Sequence, residues 1–532
     1  MAAALKLTTN TIRALSAACF SMLLVGQAAA FNLDSLLIQS VGGPAAVDRL
    51  RNMTTSYAAG TAILNGLPGS YEVYVAIPDN LCMEMKLGPF ALAQAFDGAT
   101  AWQRDHNGQV SELSGYEKRA LLSQVYFQTY SFLLENRLPG EREYLGIETR
   151  GGRPMHRVGF YPLYTDTVYS YFDTTTGYQS FDVITVDNLE IVTEYSDHAI
   201  RGGVLMPLTS RSSVPAAQTE MRITVDSVAF NLPVDPRRFV RRTSTVDFRF
   251  PAGHDSVVVP FELIAGHIYF HAQVNGRLLR FILDSGASAN MFHRPALDGL
   301  DLPVVGNLPA IGVAGYEHVD LVRTDSINIG GLVLLGQVGG ALDLSVVTGG
   351  SKAEPPFGGI LGYDFLSRFP VLIDYQAGTL TFFNADNFQP PDGGHEVPFE
   401  LTLQIPTIEA ELLGLPGRYI VDLGNAFGLI VHSDFSRKHD LVSRLGDVSD
   451  LPHEIGGLGG GLSGKTAYAA SFSFGDVRIT DLRIMLPDSG SGLAGSVELA
   501  GNIGNLLLKQ FRVLFDYGHQ QLVFYDIAGS GE

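Results

Sequence analysis

Two acids in this chain follow apolar runs, and each has a glycine two residues after it. Asp284 ends the run Phe281–Leu283 and precedes Ser285 and Gly286, while Asp422 ends Tyr419–Val421 and precedes Leu423 and Gly424. Two carboxyls held a few ångströms apart cannot both ionise easily, so they share one proton. The ionised carboxyl can then take a proton from water while the protonated one donates to a carbonyl oxygen. Such a pair suits hydrolysis of an amide.

The surroundings of the two acids are also repeated, which indicates an internal duplication. Both acids follow the same five letters at the same spacing, and both are followed by matching glycines and by matching Phe, Val-Leu and Asp-Tyr positions. The matched segments are Val259–Leu263 with Val397–Leu401, Gly359–Gly362 with Gly501–Gly504, and Phe369–Tyr375 with Phe511–Tyr517. Two copies of one unit, each delivering a carboxylate, predict a site shared between the copies.

The pattern Asp-Ser-Gly-Ala, followed about 75 residues later by Ile-Leu-Gly, resembles one lobe of an aspartic peptidase of the retropepsin and pepsin type. The resemblance covers about residues 246 to 529 and implies two tandem β-barrel lobes, 246–391 and 392–532, with Asp284 and Asp422 as the catalytic pair. Ser285, Gly286 and Gly424 would support the pair, the glycines by allowing tight turns that bring backbone amides near the carboxylates. The implied partner is a peptide or protein substrate, with no cofactor.

The resemblance also places a mobile β-hairpin, the flap, near Ile311–Val322. Gly315 would let this hairpin bend over an extended substrate, and Tyr316 would help to close the cleft. An ordinary hairpin is the competing interpretation. The corresponding stretch of the second lobe is the glycine-rich segment 456–466.

The second copy departs from the family pattern at two places. Leu423 stands where the family uses a hydroxyl like that of Ser285 to brace the two loops, and the second Ile-Leu-Gly has become Asn502-Ile503-Gly504. A poorly supported pair cleaves slowly or not at all. The alternative function is therefore a catalytically degraded protein that binds a peptide or lipid, with Asp422 a relic of the duplication.

Other chemistries find less support. Gly459–Thr466 fits the phosphate-binding pattern G-x-x-x-x-G-K-T, but that pattern requires a following helix, and Ala467–Ile479 alternates like a strand. His267 and His271 lie on a predicted strand, where positions four apart are separated by about 13 Å and cannot chelate one ion. No metal site is expected.

The first 30 residues have the form of a secretory signal peptide, with Lys6 and Arg13 before an apolar stretch and a small-residue end at Ala28–Ala30. A secreted or periplasmic protein is therefore expected, without a transmembrane segment in the mature chain. A formal net charge of −19 argues against nucleic-acid binding. Cys82 would be the one cysteine left after cleavage, so we expect it to be a buried apolar side chain.

Residues 31–245 lack the repeated unit and alternate like strands around helices predicted at Pro44–Arg51 and Tyr116–Leu134. This order, with Trp102 between strands, resembles the periplasmic lipoprotein-carrier domain, a curved β-sheet folded over a helix. The resemblance implies a groove for an acyl chain or extended peptide, although Trp102 and its neighbours could equally fill a core. The region could also cover the cleft.

The paired arginines at 237–238 and 241–242 predict a solvated linker or a processing site. Taken together, the sequence predicts a mostly β protein in which a curved sheet with a helix precedes two tandem β-barrel lobes.

Overall fold

The computed structural model describes residues 31–88, 90–187, 189–215, 219–311, 316–348, 354–452, 455–457, 460–488 and 492–527. The chain is mostly β, as predicted. The expected signal peptide, residues 1–30, and the flap residue Gly315 lie outside the described residues. None of the described helices is both long and apolar enough to cross a bilayer.

The first region is a single antiparallel sheet of thirteen strands with three helices. The strands are β1 Thr55–Leu64, β2 Leu67–Ala76, β3 Asn80–Leu87, β4 Phe90–Phe96, β5 Ala101–Arg104, β6 Val110–Glu112, β7 Gly140–Arg150, β8 Arg153–Pro162, β9 Val168–Asp173, β10 Gln179–Val186, β11 Leu189–Arg201, β12 Val204–Val214 and β13 Thr219–Phe230. The helices are α1 Leu33–Ser40, α2 Pro44–Arg51 and α3 Gly115–Gln128. The sheet order runs from β6 down to β1 and then from β13 down to β7.

The sheet curls around α3. Leu121 and Val125 of this helix pack in one apolar cluster with strands β2 to β5, near one end of the sheet. Tyr126 packs with Val158 and Phe160 of β8, near the other end. Since strands from opposite ends of the sheet contact the same helix, the sheet must curve, and apolar side chains fill its hollow.

The helix predicted at Pro44–Arg51 is confirmed, whereas the one predicted at Tyr116–Leu134 ends at Gln128. The reason is local. Tyr130 adopts a left-handed φ of 57°, which ends the helix, and the Thr129 hydroxyl donates back to the Val125 carbonyl.

Two further units follow, each built largely from short strands. In the first unit the strands are β14 Phe248–Arg249, β15 Ser256–Pro260, β16 Glu262–Ile264, β17 His267–Val274, β18 Arg277–Leu283, β19 Met291–His293, β20 Val304–Ile311, β21 Tyr316–Arg323, β22 Ser326–Ile329, β23 Leu332–Leu335, β24 Val338–Leu342, β25 Phe357–Leu361, β26 Val371–Asp374 and β27 Thr379–Phe383, with helices α4 Ser345–Thr348 and α5 Tyr363–Leu366. In the second unit they are β28 His395–Pro398, β29 Glu400–Thr402, β30 Ile405–Leu412, β31 Leu415–Val421, β32 Leu429–Val431, β33 Val448–Asp450, β34 Ile455–Gly457, β35 Gly460–Leu462, β36 Gly464–Ala469, β37 Phe472–Phe474, β38 Val477–Ile479, β39 Leu482–Pro487, β40 Gly501–Ile503, β41 Phe511–Asp516 and β42 Gln521–Asp526, with helices α6 Ser433–Lys438, α7 Leu441–Leu445 and α8 Asn505–Leu508.

The same strand pairing recurs in both units. In the first unit β18 pairs in parallel with β25 and β19 in parallel with β24. In the second unit β31 pairs in parallel with β40 and β32 in parallel with β39. A six-stranded sheet in the order β15-β27-β26-β41-β42-β28 takes three strands from each unit and joins them. The apolar core beneath it is continuous across both units.

The segment between the sheet and the first unit is not a solvated linker, so that prediction is wrong in part. Arg238 and Arg242 both pair with Glu84 of β3, and Arg242 also lies over the Trp102 ring. Phe239 is buried, and its carbonyl accepts a hydrogen bond from the Trp102 indole. The guanidinium groups are held here because they find an acid and an aromatic face, which sequence spacing does not reveal.

Candidate active site

The two acids occupy equivalent places at the ends of central strands. Asp284 directly follows β18, and its backbone N–H donates to the Leu361 carbonyl at 3.0 Å. Asp422 directly follows β31, and its backbone N–H donates to the Ile503 carbonyl at 2.9 Å. Each strand ends at the residue before the acid, so each acid lies at the start of the loop that follows.

The two loops face each other so closely that each acid lies against the glycine of the other loop. A Cβ added to Gly286 would lie 2.3 Å from Asp422 Oδ1, and one added to Gly424 would lie 2.4 Å from Asp284 Oδ2. Neither glycine is in the left-handed region, so the requirement here is space. The Gly286 amide donates to Asp284 Oδ1 at 2.8 Å and the Gly424 amide to Asp422 Oδ1 at 2.7 Å. The structure therefore brings together the predicted Asp284, Asp422, Gly286 and Gly424.

The carboxyls interact electrostatically as a pair. Burial, the charge of Asp422 and a hydrogen bond between the two carboxyls raise the pKa of Asp284 well above its ordinary value, against the opposing effect of backbone amides. Because the two carboxyls interact this closely, they titrate as a pair and hold one proton between them in the singly ionised state. Two acids in this state can supply a proton donor and a proton acceptor at one point.

Ser285 braces the two loops. Its side chain is 0% exposed, and its hydroxyl donates to the Val421 carbonyl at 2.7 Å while accepting from the Leu423 amide at 3.0 Å. Both partners belong to the opposite loop. Leu423 has no hydroxyl to make the reciprocal hydrogen bonds, as the sequence predicts. Its side chain is instead fully buried in the core shared by the two units.

A connection between the second acid loop and the first unit comes from Asn505, at the start of α8. Its side-chain amide donates to the Leu423 carbonyl and, at 2.9 Å, to the Gly266 carbonyl in the first unit. The Tyr375 hydroxyl holds the other end of this amide by donating to Asn505 Oδ1 at 2.6 Å. Position 423 lacks a hydroxyl, but Asn505 connects its carbonyl to the first unit. The sequence did not reveal this contact.

Asn502, one of the two departures from the family pattern, also contacts the site. Its Nδ2 donates to Asp422 Oδ2 at 2.6 Å. The signal in the sequence was the replacement of the first residue of the Ile-Leu-Gly pattern. Only the fold shows that this side chain points at the acid.

Two hairpins lie at the edges of the units. The predicted flap is the antiparallel pair β20 and β21, with Tyr316 as the first residue of β21, and the turn with Gly315 lies outside the described residues. In the second unit β34 pairs with β35, and β34 contacts α4 of the first unit, so this hairpin reaches across to the other unit. Lys465 and Thr466 lie in strand β36 and no helix begins there, so the phosphate-binding pattern lacks the structure it requires.

The curled sheet contacts both units. Its His106 lies 3.5 Å from Asp364 in α5, and its Asn107 side chain bonds both the N–H and the carbonyl of Val338. On the second unit, Glu117 accepts from the Leu403 amide and Arg119 pairs with Glu498. The first region therefore fixes the two units relative to each other.

The contact at His106 continues into the first acid loop. Asp364 Oδ2 accepts from the Asn290 amide at 2.9 Å, and Asn290 Oδ1 accepts from the Gly362 amide at 3.1 Å. Burial lowers the pKa of His106, but the charge of Asp364, its hydrogen bond and the charge of Asp105 outweigh burial and raise that pKa to about 9. His106 is therefore a cation at neutral pH, bound to an acid that supports the loop after Asp284.

Trp102 and Cys82 lie in an apolar core, which is what the sequence predicted for Cys82 and one of its two interpretations of Trp102. Both are fully buried in a small cluster with Phe239. Across the described part of the chain, no group of three or more His, Cys, Asp or Glu side chains is placed to hold a metal ion.

Comparison with known proteins connects part of the chain to one family. Residues 270–365, which contain Asp284 and the following Ile-Leu-Gly, match the aspartyl protease family model. No curated protein matches the chain. Among solved structures, a DUF1329 family protein from Desulfovibrio piger is similar over 39% of this chain and 95% of its own, with 12% identity and a TM-score of 0.29. Residues 270–365 are thus aspartyl protease-like.

Proposed function

We propose that this chain is an exported aspartic endopeptidase with two tandem lobes, in which Asp284 and Asp422 form the catalytic dyad. The observation that carries the proposal is that each carboxyl lies against the glycine of the opposite loop, with the pKa of Asp284 raised by burial and by Asp422. The aspartyl protease-like match supports the first lobe. The recurrence of its strand pairing around Asp422 supports the second.

In this mechanism a water molecule lies between the carboxyls and attacks the carbonyl carbon of an extended peptide. The ionised carboxyl takes a proton from the water as the new C–O bond forms, and the protonated carboxyl donates its proton to the carbonyl oxygen. The tetrahedral gem-diol then collapses. The C–N bond breaks, the leaving nitrogen takes the proton held by the first carboxyl, and a hydroxyl proton returns to the second.

The test is cleavage of an unfolded protein substrate by the full-length chain across acid to neutral pH. Asp284→Asn and Asp422→Asn each remove one ionisable group while keeping the shape, and each should lower kcat/KM by about 10³-fold or more. A peptide carrying a statine group, which mimics the gem-diol, should inhibit the unmodified protein. Ser288→Ala, an exposed change in the same loop, is the matched control.

Retained cleavage by Asp284→Asn would contradict the proposal. Tight binding of a peptide or lipid without any cleavage by the unmodified chain would instead favour the non-enzymatic alternative.

We also propose that residues 1–30 direct export and are then removed, on the basis of their sequence pattern alone. Recovery of a mature chain from the periplasm or medium, with its N-terminus near residue 31, is the expected result. A cytoplasmic chain that keeps residue 1 would contradict it.

A further inference from the structure

The strands beside the two acid loops differ in polarity at one position. Ile360 of β25 lies opposite Ile282, two residues before Asp284, and Asn502 of β40 lies opposite Ile420, two residues before Asp422. The register is the same in both units. An apolar side chain therefore stands beside one acid loop, and an amide stands at the same place beside the other.

The Asn502 amide is fixed in one orientation. Its side chain is 6% exposed, its Nδ2 lies 2.6 Å from Asp422 Oδ2, and its Oδ1 accepts from Asn425 Nδ2 at 3.0 Å. Asn425 is itself held, because its Oδ1 accepts from the Phe427 amide at 2.9 Å. Reversing the Asn502 amide would place its oxygen against the carboxylate and its nitrogen against another donor, so the geometry admits only one arrangement.

The donors to the two acids are unequal. Asp422 accepts from the Gly424 and Asn425 amides on Oδ1 and from the Asn502 side chain on Oδ2, so both of its oxygens have donors within one lobe. Asp284 accepts from the Gly286 amide on Oδ1 and has the Gly424 amide of the other loop beside it. Hydrogen bonds to a carboxylate favour its ionised form, and a side-chain amide in a buried site is a strong donor.

We propose that Asn502 is a positioning residue that keeps the negative charge on Asp422 and so leaves the shared proton on Asp284. This inference rests on the proposed function and deepens it, because it assigns the base and the acid of the first step. Asn502, which breaks the Ile-Leu-Gly pattern, then determines which carboxyl of the pair is ionised.

Three other titratable groups face Asp422 or its partner. Asp284 is the other member of the pair, and Tyr517, whose pKa burial raises well above its ordinary value, remains a neutral phenol. His267 lies near enough for the charge of Asp422 to act on it, although burial lowers its pKa overall. Since His267 can gain a proton at acidic pH, its effect on the pH profile must be distinguished from that of Asn502.

The experiment is the pH dependence of kcat/KM for the full-length chain and for Asn502→Ile, which installs the residue found at position 360. The variant loses the donor to Asp422 but leaves Asn425 Nδ2 its second partner, the backbone carbonyl of residue 502, at 3.0 Å. Without the donor the singly ionised pair forms less readily. The acid limb of the profile should therefore move up by about one to two pH units, while the basic limb stays in place.

Asn502→Ala provides a second test if isoleucine disturbs packing, and His267→Gln should leave the acid limb where it is. A uniform loss of activity at every pH, or an acid limb that moves as much in His267→Gln, would overturn the inference. A titration of the aspartate carboxyl carbons by NMR, with Asp422→Asn for assignment, does not require activity. If the chain proves inactive, the lower of the pair's two macroscopic pKa values can still be measured. A rise of that pKa in Asn502→Ile supports the role of Asn502, and an unchanged value refutes it.

Discussion

Replacing Ser285 by alanine tests whether the two loops depend on one hydroxyl. The change removes both bonds that this hydroxyl makes to the opposite loop, at 2.7 Å to the Val421 carbonyl and 3.0 Å from the Leu423 amide. Both bonds lie in the buried interior. Nothing in the variant replaces the oxygen, because the methyl group of alanine neither donates nor accepts.

The expected size of the effect follows from those two bonds. A buried backbone group left without its partner costs about 1–3 kcal/mol, so Ser285→Ala should lower the free energy of unfolding by about 2–6 kcal/mol. The carboxyls should also lose their alignment. A displacement of about 1 Å at a reacting centre costs about 100-fold in rate, and we expect a fall in kcat/KM of that order.

The assay combines urea unfolding with cleavage kinetics at the pH optimum. Ser288→Ala, in the same loop but exposed, should change the unfolding free energy by no more than about 0.5 kcal/mol. Ser285→Thr keeps the hydroxyl and should retain activity within about tenfold. The reasoning is refuted if Ser285→Ala behaves like Ser288→Ala, or if it loses stability while its kcat/KM is unchanged.

Two further changes probe buried charged contacts, His106 with Asp364 between the curled sheet and the first unit, and Asp247 with Arg368 within the first unit. His106→Gln should destabilise the protein most below pH 6.5, because a histidine with its pKa raised to about 9 stabilises the fold when protonated and loses that effect as the pH rises through 9. Thermal unfolding at pH 6 and pH 9.5 measures this, and an equal difference at both values would contradict it. Asp247→Ala leaves the fully buried Arg368 without its counter-charge and should cost about 3–5 kcal/mol. Asp235→Ala, which breaks the exposed pair with Arg237, should cost much less, and equal costs in urea unfolding would show that burial of the pair does not matter.

Sequence reasoning located the two acid loops because their signal is local. Each loop is an apolar strand followed by Asp-x-Gly, and the repeat places the two in register. The same reasoning anticipated that Leu423 could not return the bond offered by Ser285, since that follows from residue type alone. The catalytic role of these residues stays a prediction for the assays above.

Contacts between distant residues were beyond that reasoning. Asn502 was interpreted as a loss of support, although its amide lies 80 positions from Asp422 and bonds to it. The arginines near residue 240 were interpreted as a solvated linker because no spacing rule connects Arg242 with Glu84. A polar residue near a site strengthens or weakens it according to where its side chain points, and only the packed fold determines that.

The contacts of the curled sheet bear on how this protein could be divided. Val338 belongs to the sheet's own apolar cluster, with Val305 and Leu321 of the first unit packed against it. A shortened chain beginning near residue 246 would present these aliphatic side chains to water and would leave the loop after Asp284 without the cation at His106. Residues 31–245 thus supply part of the packing and one charged partner of the first unit.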